Sequence, residues 1–287
     1  MKSTLSSDEI RRAVRAALAE DLGSGDVTTL ATVPEETRVT ARMVAREPLV
    51  AVGLELAEAA FLELCPHANI HRAAPEGERV PAGFALLKIV DAPARAVLSA
   101  ERVALNFAQR LSGVATLTAQ YVEAVAGTKT RILDTRKTTP GLRRLEKYAV
   151  VCGGGMNHRF GLFDGILIKD NHLAALRDEP PNAIEAAVRR ARARFPQLAV
   201  EVEADTLEQA EQAARAGADV ILLDNMPVDV LRAAVRLVHG RAKTEASGGA
   251  NLSNVRAIAE TGVDFISVGA LTHSARAVDI ALDFEER

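Results

Sequence analysis

The sequence contains little cysteine: Cys65 and Cys152 are the only two cysteines among 287 residues. One pair of thiols cannot staple a chain of this length, and structural disulfides persist mainly in oxidising compartments. No stretch approaches the roughly 20 apolar residues of a membrane helix, and the N-terminus lacks the apolar run of a signal peptide. We therefore expect two free thiols and a cytoplasmic protein with no membrane partner.

The sequence also lacks an excess of positive charge. It has 35 Lys and Arg against 38 Asp and Glu, a formal net charge of -3. This balance argues against a surface built to bind nucleic acid, so any positive site must be local. Hydrophobic residues make up 48% of the chain and charged residues 25%, as in folded proteins with a sizeable core. The length favours a large barrel, alone or with a smaller domain.

The first part of the chain mixes helices and strands without regular alternation. Ser6 and Glu9 have the form of a capping box, which predicts an amphipathic helix after Ser6. The segment 21–29 is rich in Gly, Asp and Thr and is predicted to be a loop. Further along, strands are predicted at 38–46 and 79–90, and a helix is predicted between them at 54–64. This mixture is typical of a small α+β layer.

The segment 94–125 has helical periodicity. Gly113 is the expected break between two helices within it. We place the domain boundary there, with residues 1–113 in the first domain and 114–273 in the second.

Beyond residue 130, short apolar runs recur, and each is followed by a helical stretch. The runs lie at 131–133, 165–168, 198–202, 220–223, 243–246 and 265–268, with 148–151 as a candidate seventh strand. Such βα units imply a parallel sheet. Six or seven strands are fewer than the eight of a complete barrel, so a doubly wound open sheet is an alternative to an incomplete parallel α/β barrel.

Polar or glycine residues follow nearly every apolar run. The carboxyl ends of parallel strands meet at one face, which holds the active site in barrels and open sheets alike. Taken singly, Lys137 or Lys169 is more often a solvated loop residue, but the convergence of the runs favours one pocket. The candidate residues at these strand ends are Thr135, Arg136, Lys137, Lys169, Glu203, Asp224, Ser247, Gly248, Gly249 and Gly269.

Carboxylates follow two neighbouring strands. Glu201 and Glu203 alternate with valines, so both point to the same face of their strand. An unpaired buried carboxylate is costly, so at least one of them needs a cation or a basic partner. Asp224, one strand later, could share a cation with them. Two carboxylates completed by substrate phosphates and water are the usual way in which Mg²⁺ is held.

Glycine turns offer backbone N–H groups for phosphate binding. The turns at 247–249 and at Gly269 are predicted to precede helices, which suits a phosphate site, although simple loop geometry is the alternative. The adjacent His158 and Arg159 could form part of an anion site. By itself, His158 is more often a structural histidine than a catalytic one.

Several long motifs occur in a fixed order along the chain, at 101–113, 134–143, 157–164, 168–172, 201–203, 222–225, 247–249 and 267–272. Together they resemble the quinolinate phosphoribosyltransferase family, and the resemblance covers almost the whole chain. It implies an N-terminal α/β sandwich domain, completed by residues 274–287, beside an incomplete barrel. It also implies a homodimer in which Arg102 reaches the neighbouring active site.

The implied enzyme is a pentosyltransferase of NAD biosynthesis. It joins quinolinate to phosphoribosyl pyrophosphate with Mg²⁺, giving nicotinate mononucleotide, pyrophosphate and carbon dioxide. On this resemblance Lys137, Lys169, Glu203 and Asp224 are catalytic, and Glu203 is preferred to Glu201 because its spacing to Asp224 fits the family. Quinolinate is assigned to Arg102, Arg136, Lys137, His158 and Arg159; pyrophosphate to Lys169 and to Mg²⁺ near Glu203 and Asp224; the 5′-phosphate to the turns at 247–249 and at Gly269–Ala270.

Three other functions remain as alternatives. A homologue associated with molybdate uptake genes shares the family's features, but the full basic set argues against a chain that has lost the quinolinate site. A nicotinate phosphoribosyltransferase would need fewer arginines, because its substrate is a monoanion. A non-catalytic sensor of phosphorylated metabolites would use the same pocket, but no effector domain is visible.

Overall fold

The computed structural model describes residues 4–285, and these form two compact units. Unit 1 contains the residues up to Ala119, Arg144–Gly154 and the segment from Ser274 onward, and unit 2 contains Gln120–Arg143 and Gly155–His273. The predicted second domain, 114–273, included the segments 114–119 and 144–154. In the structure both segments belong to unit 1. Unit 1 is thus assembled from three separate pieces of chain.

The helices are α1 (Ser7–Leu22), α2 (Val27–Thr32), α3 (Leu54–Leu64), α4 (Ala94–Ala124), α5 (Arg143–Cys152), α6 (Asp170–Ala174), α7 (Ala183–Arg194), α8 (Leu207–Ala216), α9 (Val228–Val238), α10 (Val255–Ala259) and α11 (Ala270–His273). The capping box before α1 is confirmed, since Ser6 Oγ accepts the Glu9 N–H and Glu9 Oε2 accepts the Ser6 N–H. Among residues 4–285, no helix is both long and apolar enough to cross a bilayer.

The strands are β1 (Arg38–Ala45), β2 (Leu49–Ala51), β3 (Asn69–Arg72), β4 (Glu78–Val80), β5 (Ala85–Pro93), β6 (Arg131–Leu133), β7 (Ile166–Ile168), β8 (Val200–Ala204), β9 (Val220–Asp224), β10 (Lys243–Ser247), β11 (Phe265–Ser267) and β12 (Ile280–Phe284). In unit 1, four strands form an antiparallel sheet in the order β12-β1-β5-β3, and β2 pairs with β4. Alternate residues of β1, namely Ala41, Met43 and Ala45, are fully buried.

Unit 2 contains a six-stranded parallel sheet in the order β6-β11-β10-β9-β8-β7. Strands β7 to β11 follow one another in chain order, and β6 pairs with β11, the last of them. A doubly wound sheet would instead reverse its winding at a switch point. The described residues therefore form a barrel of six strands, the smaller of the two expected numbers, which is open between β6 and β7. The prediction of an incomplete barrel is confirmed.

The expected break at Gly113 is wrong, because α4 runs without interruption from Ala94 to Ala124. A Cβ on Gly113 would lie 2.0 Å from the carbonyl oxygen of Arg276. Glycine is therefore required here for close packing of two backbones, and this requirement does not show in helical periodicity.

The candidate seventh strand is also wrong. Residues 148–151 lie in α5, where Leu145 to Val150 are all buried. A short apolar run cannot distinguish a buried helix from a strand by periodicity alone.

Two further boundaries differ from expectation in unit 1. The predicted loop 21–29 includes the end of α1 and the start of α2, whose N-cap Asp26 accepts the Thr29 N–H at 2.9 Å. The predicted strand 79–90 is two strands, β4 and β5, separated by a turn at Gly83 with φ +82°. Cys65 and Cys152 do not form a disulfide bond.

Candidate active site

A cavity of about 640 Å³ lies at the carboxyl ends of the unit 2 strands. The residues lining it that the sequence had already singled out are Thr135, Arg136, Lys137, His158, Arg159, Lys169, Glu203, Asp224, Ser247, Gly248 and Gly249. They come from separate loops that the parallel sheet brings to one edge, as the strand-end argument requires. The structure thus gathers most of the candidate residues around a single space.

Three candidate residues do not line this cavity. Arg102 lies exposed in α4 of unit 1. Gly269 and Ala270 follow β11, and a Cβ on Gly269 would lie 3.2 Å from Lys137 Cδ. The absence of a side chain at Gly269 therefore leaves room for the Lys137 side chain.

The loop after β6 is fixed by hydrogen bonds of its own side chains and of Thr272 in α11. Thr135 Oγ1 accepts the Lys137 N–H at 3.0 Å, and Thr272 Oγ1 donates to the Lys137 carbonyl at 2.6 Å. Asp134, which is fully buried, accepts the His158 N–H at 2.8 Å. This carboxylate ties the loop after β6 to the segment that carries His158 and Arg159.

Two guanidinium groups share the cavity. Arg136 Nε is buried and has no hydrogen-bond partner among the described residues. Arg159 Nη1 donates to the Gly165 carbonyl at 3.1 Å. Burial and the nearby charge of Arg136 lower the pKa of Arg159. The charges of Glu201 and Asp164 act on the pKa of Arg159 in the opposite sense, but burial and Arg136 outweigh them. Two guanidinium groups in one cavity favour an anionic ligand.

The carboxylates of the cavity stand on neighbouring strands. Glu203 on β8 pairs with Lys169 Nζ at 2.5 Å, and Asp224 on β9 accepts a hydrogen bond from Asn225 Nδ2 at 2.6 Å. Both side chains line the same cavity. Carboxylate oxygens are the ligands that Mg²⁺ prefers, so these two residues are suited to hold it together with substrate phosphates.

The turn after β10 presents backbone to the cavity. Asn225 has φ +52°, and its N–H donates to the Ser247 carbonyl at 2.9 Å. Gly248 has φ +90°, and a Cβ there would lie 2.0 Å from Asn225 Oδ1. Only glycine fits this close approach, which leaves an exposed peptide turn suited to binding an anion.

Sequence reasoning missed four residues that line the cavity, Leu167, Leu222, Glu245 and Ser267, whereas Asn225 was expected there as a polar residue at the end of its strand. Glu245 is the most informative, because it is 1% exposed and lies inside β10. The segment 243–246 was interpreted as an apolar run, which hid its carboxylate. The spacing of two residues from Glu245 to Ser247 was the signal that both side chains share one face of the strand.

A second cavity, of about 870 Å³, lies within unit 1. Its lining includes Glu55, Glu58 and Glu76, and Arg72 pairs with both Glu55 and Glu58. Among the lining residues that the structure describes, Arg72 is the single cation, and it is already neutralised. This cavity is therefore poorly suited to an anionic substrate, in contrast to the one in unit 2.

Comparison with known proteins gives consistent results. The N-terminal domain model of quinolinate phosphoribosyl transferase matches residues 26–112, and the C-terminal domain model matches 114–283. The chain is 47% identical over 290 residues to the carboxylating nicotinate-nucleotide pyrophosphorylase of Mycobacterium leprae, covering 99% of this chain and 100% of that one.

Two further relatives extend this similarity. The chloroplastic carboxylating nicotinate-nucleotide pyrophosphorylase of Arabidopsis thaliana is 41% identical over 293 residues, covering 96% of this chain and 83% of the relative. The solved structure of the nicotinate-nucleotide pyrophosphorylase from Francisella tularensis superposes with a TM-score of 0.92 at 38% identity, covering 99% of both chains.

Proposed function

Since the chain belongs to the quinolinate phosphoribosyltransferase family, we propose that it transfers the phosphoribosyl group of phosphoribosyl pyrophosphate to quinolinate. The ring nitrogen of quinolinate bonds to C1 of the ribose, and the bond from C1 to the pyrophosphate oxygen breaks. The bond from the ring to the 2-carboxylate also breaks, and a proton takes its place. The products are nicotinate mononucleotide, pyrophosphate and carbon dioxide, as in de novo NAD biosynthesis.

The observation that carries this proposal is the pair formed by Arg136 and Arg159. Two guanidinium groups line one cavity, and Arg136 Nε is buried without a hydrogen-bond partner in the described part of the chain. Quinolinate is a dianion whose planar carboxylates match the fork of a guanidinium. Lys137 and His158 line the same cavity and complete the proposed acceptor site.

The donor substrate would occupy the other side of the cavity. The turn at 247–249 and the Gly269–Ala270 turn are proposed to hold the 5′-phosphate through backbone N–H groups. Lys169 would bind the pyrophosphate, exchanging its present partner Glu203 for phosphate oxygens. Glu203 would then be free to face the ribose or a metal ion.

Glu203 and Asp224 are proposed to hold Mg²⁺. Bound there, Mg²⁺ would offset the negative charge of the departing pyrophosphate. Positive charge develops on the sugar as the leaving group departs, and the two carboxylates would stabilise that transition state if the ribose binds beside them. No protein nucleophile is required. The positive ring nitrogen of the product would then favour loss of the 2-carboxylate.

The proposed active enzyme is a homodimer. Arg102 is exposed on α4 and does not line the cavity of its own chain. In the proposed dimer the partner subunit's Arg102 supplies a further guanidinium for quinolinate. Two cysteines without a disulfide suit a reducing compartment, so we propose that the reaction takes place in the cytoplasm.

The test is an assay of pyrophosphate release from phosphoribosyl pyrophosphate with quinolinate, with nicotinate, and with neither acceptor. Each reaction is run with Mg²⁺ and with a chelator. We expect pyrophosphate release only in the reaction that contains both quinolinate and Mg²⁺. Turnover with nicotinate and not with quinolinate would identify a nicotinate phosphoribosyltransferase, and binding of phosphoribosyl pyrophosphate without any release would support a sensor.

A further inference from the structure

Beneath the cavity lies a buried cluster of three ionisable side chains. His158 Nε2 is 2.9 Å from Glu201 Oε2 and 3.7 Å from Glu245 Oε2. Glu201 is 8% exposed and Glu245 is 1% exposed. Neither glutamate has been assigned a role above, and two carboxylates held this deep in a barrel are costly unless they serve a purpose.

The hydrogen bonds of His158 define which of its nitrogens carries the proton. The Arg159 backbone N–H donates to His158 Nδ1 at 2.7 Å, so Nδ1 must present a lone pair. The single proton of the neutral ring is therefore on Nε2, where it points to Glu201 at hydrogen-bonding distance. Glu201 thus fixes the tautomer from inside the barrel.

The same hydrogen bonds argue against a metal ion in this cluster. The three ligand atoms of His158, Glu201 and Glu245 lie within 4.8 Å of one another, which is close enough for a shared cation. A metal on Nε2 would have to displace its proton, while Nδ1 still accepts the Arg159 N–H. The ring would then carry no proton at all, which an ordinary histidine ligand does not do.

Glu245 supports Glu201 from the next layer of the barrel. It lies on β10, hydrogen-bonded to Ser267 on β11, and shares a hydrogen bond with Glu201. Burial and the negative charge of Glu201 raise the pKa of Glu245 to about 8. A carboxyl group that keeps its proton can donate to Glu201, so both neighbours of the Glu201 carboxylate act as donors.

We propose that Glu201 and Glu245 are positioning residues that hold His158 as its Nε2–H tautomer, so that Nδ1 accepts the Arg159 N–H and fixes the Arg159 guanidinium in the cavity. The His158 backbone N–H is held in turn by buried Asp134. The segment that carries Arg159 is thereby anchored from two sides of the barrel interior. Only the choice of quinolinate as the ligand of Arg159 rests on the proposed function.

The first test reads the tautomer directly, without any substrate. In the wild-type protein, ¹⁵N NMR of imidazole-labelled histidine should show His158 protonated on Nε2 alone. Glu201→Met, which is apolar and similar in volume, should shift His158 toward the Nδ1–H form. His172 is an internal control, since its Nδ1 accepts the Lys169 N–H at 2.9 Å and it lies outside the cluster. A wild-type His158 protonated on Nδ1 would overturn the proposal.

The second test measures quinolinate affinity by calorimetry. Loss of one backbone hydrogen bond should weaken binding to Glu201→Met about fivefold to tenfold, while binding of phosphoribosyl pyrophosphate with Mg²⁺ is unchanged. Glu201→Gln should restore most of the affinity, because its amide oxygen still accepts a hydrogen bond. In steady-state assays the KM for quinolinate should rise more than kcat falls.

A merely structural role would give a different pattern. Removing one partner of a buried hydrogen-bonded pair usually lowers stability, so a lowered melting temperature with unaltered quinolinate affinity would refute positioning. Asp264→Asn is the matched control, because Asp264 is a hydrogen-bonded carboxylate at the opposite end of the barrel. It should alter stability and leave quinolinate affinity unchanged.

Two outcomes separate this inference from the proposed function. If the wild-type protein binds no quinolinate, the proposed function fails, and the NMR measurement still decides the role of Glu201. If Glu201→Met does not fold, Glu245→Gln takes its place, with a smaller shift of the His158 signals expected. Unchanged His158 signals in a folded variant that binds quinolinate as the wild type does would count against the inference alone.

Discussion

The two ends of the six-stranded sheet in unit 2 differ in how fully their charged side chains are hydrogen-bonded and paired. At the amino ends of the strands, Asp219 accepts the Val200 N–H at 2.7 Å and pairs with Arg192 at 2.9 Å. Asp264 likewise accepts the Thr244 N–H at 2.9 Å and pairs with a lysine, Lys129, at 3.1 Å. Each of these carboxylates has both a backbone donor and a cation.

At the carboxyl ends and within the strands beneath the cavity, three buried polar atoms have no partner among residues 4–285: Arg136 Nε, Glu201 Oε1 and Glu245 Oε1. A buried polar atom without a hydrogen bond lowers the stability of the fold. Such atoms persist in active sites because they are arranged for a ligand rather than for the fold. Substitutions at the amino ends of the strands should therefore act on stability, and those at the carboxyl ends on catalysis.

Arg136→Ala should give the largest effect and so tests the comparison most strongly. Loss of a charge-assisted contact to a substrate carboxylate should lower kcat/KM for quinolinate about a hundredfold or more. The melting temperature should be unchanged or raised, because a buried group without a hydrogen-bond partner is removed. Pyrophosphate release and thermal unfolding measure the two quantities. Arg192→Ala is the matched control at the amino ends and should show the reverse: lower stability and ordinary turnover.

Glu203→Gln should reduce kcat by roughly tenfold to a hundredfold, because the amide keeps the shape of the side chain but loses the charge that faces the metal and the sugar. The Mg²⁺ concentration needed for half-maximal rate should rise as well. Both quantities come from assays over a series of Mg²⁺ concentrations. Full turnover with unaltered metal dependence would move the assignment away from Glu203, with Glu201→Gln as the comparison.

Glu245→Gln should change how stability depends on pH. The pKa of Glu245 is raised from 4.5 to about 8, so the unfolded chain loses this proton at a lower pH than the folded protein does. The stabilisation is fully present below pH 4.5 and is lost as the pH rises toward 8. Denaturant unfolding across this window should show wild-type stability falling by roughly 1–3 kcal/mol more than that of the variant. Parallel curves would show that Glu245 titrates alike in both states.

Asp264→Ala should have the smallest effect, lowering the free energy of unfolding by about 1 kcal/mol at neutral pH. Although burial alone would raise it, hydrogen bonds from the Thr244 N–H and from Lys129 lower the pKa of Asp264 below 3.8. Its stabilisation is therefore present above that pH and is lost as the pH falls. Urea titrations at neutral and acid pH should show the difference from wild type shrinking in acid. A large loss of turnover in this variant would contradict the conclusion that carboxylates at the amino ends serve stability alone.

The barrel was predictable because its strands are separated by helices and end in polar residues. All six strands of unit 2 lie in or beside the expected apolar runs, and the residues that follow them line one cavity. Unit 1 was less predictable, since its antiparallel strands do not alternate regularly with helices, and β2, β3 and β12 therefore had no repeating pattern to mark them. Gly113 shows the reason for another error: its role is set by Arg276, far away in the sequence.

The residues of the candidate site also differ in how far the sequence could predict them. Arg136, Lys169, Glu203 and Asp224 were visible because each directly follows or ends an apolar run. Glu245 was not, because its position within β10 becomes meaningful only once Glu201 and His158 are seen beside it. The proposed contribution of Arg102 from a second subunit is beyond any reasoning on a single chain, and it came from family resemblance alone.

The sheet order in unit 1 has a consequence for how the protein is made. Strand β1 pairs along Ala41–Ala45 with β12, which is formed by nearly the last residues of the chain. While the ribosome is still translating the barrel, β1 has one open edge of unpaired N–H and C=O groups, a template for pairing with other nascent chains. The sheet of unit 1 therefore reaches its final form only after β12 has been translated, and nascent chains that stop before Ile280 are the ones most exposed to aggregation.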